Sequence, residues 1–130
     1  MSETPILVAD DDPDILKLIE RRLGMRGYEV ATASNGAEAL EAVAAATPEA
    51  IVLDWLMPTM SGVEVCAKLK ADPETAAIPI VLLTAKAADS DIDEGARAGA
   101  DGYLTKPFEL YDLDTLLRRL IRERAANGSE

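Results

Sequence analysis

Acidic side chains directly follow two apolar segments of this sequence. Asp10, Asp11 and Asp12 come after the run Ile6–Val8, and Asp54 ends a later apolar run. Carboxylates brought to one place repel one another and raise the pKa of at least one of them, unless a divalent cation reverses the local electrostatics. Because the chain has no histidine and these positions offer only oxygen ligands, the pattern favours Mg²⁺, with Mn²⁺ as the alternative. Since Mg²⁺ commonly binds one or two carboxylates together with phosphate oxygens, the cluster also indicates a site for phosphate.

The elements that must position these side chains alternate along the chain. Short apolar runs are separated by segments of helical periodicity, and five strands with five helices predict βαβ units and a parallel sheet. The runs "IVLD" and "PIVLLTA" are continuously apolar, as expected of central strands covered by helices on both faces. Ligands bind beyond the carboxyl ends of the strands in such a sheet. We therefore expect one rim of the sheet to carry the residues that end the predicted strands, which are Asp10, Asp11, Asp54, Thr84, Thr105 and Lys106.

The first and last predicted helices have recognisable ends. Asp12 lies where an N-cap falls and Pro13 takes the first helical position, so Asp12 is interpreted as a cap and left out of the metal set. Apolar residues recur at helical spacing up to Leu23, and Gly24 and Gly27 are predicted to end this helix. The last helix has a stripe of leucines and is followed by the polar sequence "NGSE", which indicates a frayed end.

Four segments together resemble the CheY-like receiver domain of two-component response regulators. They are "ILVADDDPDI", "IVLDWLMPTMSG", "IPIVLLTA" and "GADGYLTKPF", and the similarity extends from Ile6 to about Arg122. The resemblance implies a flavodoxin-like doubly wound α/β fold, with a five-stranded parallel sheet flanked by five helices. It also implies a single receiver domain over residues 1–130, with its core in residues 6–122 and a flexible C-terminal tail in residues 125–130.

The resemblance assigns a set of metal ligands to the acidic cluster. Asp54 would be the phosphoacceptor and would also bind the cation. Asp11 would bind Mg²⁺ directly, and Asp10 would bind it through a water molecule. The third protein ligand would be the backbone carbonyl of Leu56, a position that needs no particular side chain because only its backbone oxygen is used.

Two further strand ends correspond to the family's contacts with the phosphoryl group. Phosphoryl transfer requires an in-line nucleophile and neutralisation of the charge on the equatorial oxygens. By resemblance, Asp54 is the nucleophile, Lys106 offsets the negative charge, and the Thr84 hydroxyl donates a hydrogen bond to a phosphoryl oxygen. The family holds the bond between Lys106 and Pro107 in the cis form, and the sequence alone allows either isomer.

The implied function is a signalling switch. It would catalyse its own phosphorylation and dephosphorylation rather than act as an enzyme on a separate substrate. The chain has no histidine, so the donor phosphohistidine must come from a sensor histidine kinase or a histidine phosphotransfer protein. A downstream protein or output domain would then recognise the changed surface.

Tyr103 matches the aromatic position of the family's conformational switch. It would turn inward when the Thr84 hydroxyl moves toward the phosphoryl group, which would shift the population between two packings. The alternative interpretation is a half-buried strand tyrosine, a role that aromatic residues fill well. Leu56 and Lys86 lie two residues after Asp54 and Thr84, and we expect them to flank the route of water to the acyl phosphate and to tune its lifetime.

Composition excludes several classes of partner. The formal net charge of −11 makes the chain a poor match for nucleic acid or anionic lipid, both of which repel an acidic body. No stretch approaches the roughly 20 apolar residues of a membrane span, and the first residues show no export signal. Cys66 is the only cysteine, so a buried, inert thiol and a cytoplasmic location are expected.

Two other functions fit parts of the pattern. A degenerate receiver could serve as a constitutive protein-binding module, although the residues implied by the resemblance are all present. A small phosphatase could act on external substrates through an aspartyl phosphate, since that chemistry also uses aspartate and Mg²⁺. That second alternative requires a substrate pocket or cap, and the sequence shows no insertion that would build one.

Overall fold

A five-stranded parallel sheet lies between two layers of helices in a computed structural model that describes residues 4–85 and 89–128. The strands are β1 (Thr4–Ala9), β2 (Tyr28–Ala33), β3 (Ala50–Asp54), β4 (Ile80–Thr84) and β5 (Gly102–Thr105). The helices are α1 (Pro13–Met25), α2 (Gly36–Ala45), α3 (Gly62–Ala71), α4 (Asp89–Ala98) and α5 (Leu110–Gly128). The predicted α/β class, with five strands and five helices in alternation, is therefore confirmed.

The strand order, β2-β1-β3-β4-β5, places the first and third strands side by side in the middle of the sheet. After β1 the chain moves to one edge to form β2, and then crosses back to form β3 on the other side of β1. This reversal is the topological switch point, where a crevice opens beyond the carboxyl ends of the strands. Asp10 follows one of these two strands and Asp54 ends the other, so topology alone makes them neighbours.

The core consists of two apolar clusters, one on each face of the sheet. All residues of β3 and β4 are buried, which confirms the interpretation of their continuous apolar runs. One face packs against α1 and α5, with the main contacts from Leu16, Ile19, Leu23, Leu113 and Leu117. The other face packs against α2 and α3 and includes Ala39, Val43, Val65, Cys66 and Leu69.

The ends of α1 agree with the expected signals, with one exception. The Asp12 carboxylate accepts hydrogen bonds from the backbone N–H groups of Asp14 at 2.9 Å and Ile15 at 3.4 Å, so Asp12 is the predicted N-cap. Gly27 has a φ of +92°, a left-handed conformation that favours glycine after a helix. The prediction for Gly24 is wrong, because the helix continues through it to Met25.

A buried ion-pair network ties α1 to α5. The Asp114 side chain is only 2% exposed, and its carboxylate lies 2.7 Å from Arg26 Nε. Arg22 approaches the same carboxylate at 3.8 Å and Arg118 approaches it at 3.6 Å. A buried carboxylate is tolerated when cations surround it in this way. Arg22 lies in α1 and Arg26 is its C-cap residue, whereas Asp114 and Arg118 lie in α5, so the network fixes the two helices relative to each other.

The last helix extends to Gly128. Helical backbone thus continues into residues 125–128, part of the segment that the resemblance assigns to a flexible tail, and the flexibility of that tail stays a prediction. In the described part of the chain, no helix has the length and apolar character that crossing a lipid bilayer requires.

Candidate functional site

Three carboxylates meet at the rim of the sheet where the strand order reverses. One oxygen from each of Asp10, Asp11 and Asp54 lies within 4.8 Å of the other two. Asp10 is fully buried and Asp54 is 6% exposed, whereas Asp11 faces solvent. The Asp10 carboxylate also accepts a hydrogen bond from the Asp12 backbone N–H at 2.9 Å, which orients it within the turn after β1. Oxygen ligands at this separation suit a small divalent cation.

Lys106 provides the positive charge of the cluster. Its Nζ lies 3.2 Å from Asp10 Oδ2 and 3.1 Å from Asp54 Oδ1, so one ammonium group bridges both buried carboxylates. The Lys106 backbone N–H donates to the Thr84 carbonyl at 2.7 Å, which fixes the residue just beyond β5. The Lys106–Pro107 peptide bond is cis, as the resemblance implied.

The electrostatics of the cluster shift the pKa of two groups. Burial raises the pKa of Asp54 to about 6, and the neighbouring charges of Asp10 and Asp11 add to the rise while Lys106 opposes it. Burial by itself disfavours the Lys106 ammonium, but its hydrogen bonds and ion pairs with Asp54 and Asp10 outweigh burial and raise its pKa. A divalent cation would favour the ionised form of Asp54, which is the form that can act as a nucleophile.

Thr84 lies on the same rim. Asp54 of β3 pairs with Leu83 of β4. Thr84 therefore lies on the neighbouring strand, one residue closer to the rim than the level of Asp54. Thr84 is 4% exposed and pairs across the sheet with Thr105 of β5. The structure therefore brings together four of the predicted side chains, Asp10, Asp11, Asp54 and Lys106, and places Thr84 on the adjacent strand.

The residues that follow Asp54 divide between core and surface. Trp55 is 8% exposed and belongs to the core cluster, and its backbone N–H donates to the Leu83 carbonyl at 2.8 Å. Leu56 is 63% exposed beside the site, and the role of its carbonyl as a ligand stays a prediction. Lys86 lies outside the described residues, so its predicted effect on phosphoryl lifetime also stays a prediction.

Tyr103 packs against α4, which sequence reasoning did not show. A Cβ atom on Gly95 would lie 2.6 Å from Cε1 of the tyrosine ring, so the ring fills the space left by that glycine. The Tyr103 hydroxyl is buried and has no hydrogen-bond partner within the described residues, and burial raises its pKa. Rotation of the ring and movement of α4 are therefore sterically linked, and the switch role stays a prediction. No local sequence signal pairs residues 95 and 103.

Gly62 is a further functional residue that sequence reasoning missed. It begins α3 directly against the end of β3, and its backbone N–H donates to the Trp55 carbonyl at 2.8 Å. A Cβ atom at this position would overlap the Asp54 carbonyl oxygen. The dipeptide Ser61-Gly62 after the strand was the available signal, because a glycine at a helix start often marks a close backbone approach.

An apolar groove adjoins the charged cluster. It has a volume of about 400 Å³ and is lined by Ile15, Leu18, Ile19, Lys106, Pro107, Phe108 and Leu110. Leu18 on α1 is 56% exposed and adds open apolar surface to this groove. Because Lys106 belongs to both the groove and the acidic cluster, a molecule bound in the groove would lie next to Asp54.

The raised pKa of Asp54 makes stability depend on pH. An aspartate in the unfolded chain titrates near pH 3.9, so between about pH 4 and about pH 6 only the folded protein holds this proton, and the stability it gives is lost as pH rises through that window. In metal-free buffer, we expect Asp54→Asn to gain stability relative to wild type across this window, with a constant difference above it. Urea unfolding at a series of pH values measures the difference, and a pH-independent result would contradict this prediction.

Because Gly62 lies against Asp54 and Gly24 does not, alanine substitution should affect Mg²⁺ binding at the first glycine and leave it unchanged at the second. Gly62→Ala should displace Asp54 and weaken Mg²⁺ binding by about tenfold, the range expected when the support of a metal ligand is lost. Gly24→Ala is the matched control, because nothing lies within 4 Å of its Cβ position. It should leave Mg²⁺ affinity unchanged and raise the free energy of unfolding by about 0.5–1 kcal/mol. Titration with Mg²⁺, followed by Trp55 fluorescence, measures the affinities, and equal values for Gly62→Ala and wild type would count against this steric role.

Comparisons with known proteins identify the family of this chain. The family model of the response regulator receiver domain matches residues 6–118. The transcriptional regulatory protein PrrA of Mycobacterium leprae is 42% identical over 129 residues, which cover 99% of this chain and 54% of PrrA. The phosphate regulon transcriptional regulatory protein PhoB of Pseudomonas aeruginosa is 38% identical over 96% of this chain and 55% of its own length. The chain thus spans about half the length of the curated relatives it matches.

Solved structures show the same similarity. The chemotaxis response regulator CheY4 of Vibrio cholerae is 33% identical with a TM-score of 0.86, and the match covers 91% of this chain and 98% of that one. The receiver domain of a Pseudomonas aeruginosa sensor histidine kinase is 30% identical with a TM-score of 0.84, over 92% of this chain and 98% of that one, and it has a magnesium ion coordinated in its active-site cleft. With the family model matching most of the chain and the acidic cluster at its switch point, this chain belongs to the response regulator receiver domain family and is a receiver of two-component signalling.

Proposed function

We propose that this receiver accepts a phosphoryl group on Asp54 from a phosphohistidine of a sensor histidine kinase or histidine phosphotransfer protein. The observation that carries the proposal is the position of Asp54, which lies between two further carboxylates and the Lys106 ammonium at the switch point of the sheet. A cytoplasmic location fits a chain whose lone cysteine, Cys66, is free.

The residues present fit a bound Mg²⁺ ion, because three carboxylates converge and one of them is open to solvent. Asp11 and Asp54 would hold the ion directly, Asp10 through water and Leu56 through its backbone carbonyl, with Mn²⁺ as a possible substitute. When bound, the ion supplies neutralisation of the phosphoryl oxygens. Magnesium coordinated in the cleft of the histidine kinase receiver domain supports this assignment.

The protein groups have separate roles in the transfer. A carboxylate oxygen of Asp54 forms the bond to phosphorus as the bond between phosphorus and the donor imidazole nitrogen breaks. Lys106 stabilises the negative charge on the phosphoryl oxygens, and the Thr84 hydroxyl donates a hydrogen bond to one of them. Water then attacks phosphorus, the bond between phosphorus and the Asp54 oxygen breaks, and inorganic phosphate leaves with the carboxylate regenerated. In this proposal the switch catalyses both its own phosphorylation and its own dephosphorylation.

The proposed readout is a shift in the packing of β4, α4 and β5. Movement of the Thr84 hydroxyl toward the phosphoryl group would let Tyr103 turn inward. Because the Tyr103 ring lies against Gly95, this rotation would also change a contact of α4. A downstream partner or output domain would recognise the changed surface. Leu56 and Lys86 would set the lifetime of the acyl phosphate, and a dephosphorylation rate unchanged in both Leu56→Asn and Lys86→Ala would remove that assignment.

The proposal is tested by adding Mg²⁺ and then acetyl phosphate to the isolated chain. Trp55 fluorescence should change on each addition, and the second change should reverse slowly as the acyl phosphate hydrolyses. Asp54→Asn should lose the second change and the mass increase of one phosphoryl group. Asp12→Asn is the matched control, because asparagine also caps a helix and Asp12 lies outside the ligand set. A wild-type chain that shows neither signal nor adduct would instead favour a constitutive binding module.

The groove beside Lys106 predicts how the donor protein docks. Because Lys106 both lines this groove and contacts Asp54, we expect a partner that presents a phosphohistidine to Asp54 to cover the groove, and burial of Leu18 would contribute to binding. Leu18→Asp should slow phosphotransfer from a histidine phosphotransfer protein by about tenfold or more, since burying an unpaired charge is costly, while labelling by acetyl phosphate stays unchanged. Met25→Asp on the same helix is the matched control, because Met25 is 78% exposed and lies outside the groove. Equal rates for the two variants would contradict docking at this groove.

A further inference from the structure

Thr59, in the loop between β3 and α3, has a strained backbone. Its φ of 68° lies in the left-handed region, and within residues 4–85 and 89–128 it is the one non-glycine residue found there. Threonine is branched at Cβ, so this conformation is unfavourable for it. A strained residue of this kind persists only where the surrounding contacts hold it, and such residues cluster at functional sites.

The contacts that hold Thr59 come from the start of α2. The Thr59 hydroxyl accepts a hydrogen bond from the Ala37 backbone N–H at 3.3 Å and donates to Asn35 Oδ1 at 3.5 Å. The Gly36 backbone N–H donates to the Pro58 carbonyl at 3.4 Å. The N–H groups of Gly36 and Ala37 belong to the first turn of α2 and have no partner within that helix. We call this set of contacts the α2 clasp.

Gly36 makes the close approach of the loop possible. A Cβ atom on Gly36 would overlap the Met60 carbonyl oxygen, so only glycine lets the loop lie directly on the helix start. Asn35 Oδ1 also accepts from the Glu38 backbone N–H at 2.9 Å and thereby caps α2. The clasp is therefore built on a helix end that is itself fixed.

The same loop carries the backbone of the phosphorylation site. Two backbone hydrogen bonds hold the start of the loop at Trp55. The Trp55 carbonyl accepts from the Gly62 N–H, and the Trp55 N–H donates to the Leu83 carbonyl, each at 2.8 Å. For residues 56–60, the hydrogen bonds that the structure describes to another element are those of the α2 clasp. Met57 and Met60 add apolar contacts with the core, but such contacts are non-directional, whereas a hydrogen bond fixes the direction of the groups that it joins. The Leu56 carbonyl thus lies in a loop whose polar contacts with α2 are made by Thr59, three residues away, and by Pro58.

We infer that Thr59 is a positioning residue for cation binding, because its hydroxyl clasps the loop to α2 and so fixes the Leu56 carbonyl toward the acidic cluster. The inference rests on the proposed function, in which that carbonyl is a metal ligand. Thr59 acts through the backbone and touches neither the cation nor the phosphoryl group. Groups that orient metal ligands in this way affect affinity strongly even though they make no bond to the metal.

The test compares variants that separate the hydroxyl from the shape of the side chain. Thr59→Val keeps the branched Cβ and removes the hydroxyl, so it should raise the Kd for Mg²⁺ by about tenfold and speed amide hydrogen exchange at Leu56, Met57, residue 59 and Met60. Thr59→Ser keeps the hydroxyl and should bind Mg²⁺ within about twofold of wild type. Trp55 fluorescence during Mg²⁺ titration gives the affinities, and urea unfolding without Mg²⁺ gives the stability of each variant.

Thr32→Val provides the matched control, because Thr32 is an exposed residue of β2 and the same chemical change is made there. A Kd for Thr59→Val equal to that of wild type would overturn the inference, including the case in which its stability falls, since that pattern indicates a contact that only supports the fold. Failure of the proposed function looks different. In that case the wild-type chain itself shows no Mg²⁺-dependent change, and Thr59→Ser, Thr59→Val and Thr32→Val are equally silent.

Discussion

Repulsion among Asp10, Asp11 and Asp54 is the constraint on which the rest of this structure depends. The topology makes the first and third of these carboxylates neighbours, because β1 and β3 are adjacent and both end at the switch point. Only Lys106, which reaches across from the end of β5, compensates for them among the protein groups of the cluster. Three negative charges therefore meet one positive charge, and a divalent cation would balance the remaining two. Burial is the main cause of the raised pKa of Asp54, and the charges of Asp10 and Asp11 add to it. A divalent cation would relieve the excess negative charge and favour the ionised carboxylate, so the site is suited to a metal and, through it, to a phosphoryl group.

The helices on the two faces of the sheet differ in how tightly they are held beside this site. On the face of α1 and α5, the buried Asp114 carboxylate is surrounded by arginines from both helices, so these helices cannot shift without separating a buried charge from its partners. On the other face, α4 contacts the half-buried Tyr103 through a glycine, and the tyrosine hydroxyl has no hydrogen bond within the described residues. A change in the contact between Tyr103 and α4 therefore breaks no described hydrogen bond or ion pair of the tyrosine and costs less free energy than separating Asp114 from its arginines. The helices beside the groove, where a donor would dock, are therefore held rigidly. The contact of α4 on the other face can change more easily, and that is the face where a downstream partner would recognise a changed surface.

Patterns that are local in sequence were sufficient for the elements and for most of the cluster. Strand ends, apolar periodicity and the Asp12 cap are local signals, and they predicted a parallel sheet with Asp54 and Lys106 on the same rim. The doubly wound arrangement came from the resemblance to receiver domains, because local signals do not say which strands are neighbours. Interactions between distant segments could not be foreseen. The left-handed Thr59, the contact of Gly95 with Tyr103 and the arginines around Asp114 depend on which helix lies opposite, and no spacing rule encodes that. Gly24 shows the converse error, because a glycine inside a helix costs only about 1 kcal/mol and does not end the helix by itself, so α1 continues to Met25.

The burial of Cys66 has a consequence for how motions of this protein can be observed. The thiol donates to the Ala98 carbonyl at 3.5 Å, lies in the same cluster as Tyr103, and burial raises its pKa to about 11. A thiol in this state reacts with an alkylating reagent only when the layer of α3 and α4 opens. Because Cys66 is the only cysteine, its rate of alkylation measures how often that layer opens. The natural chain thus carries its own chemical reporter, on the face where signalling motion is expected, without any introduced label.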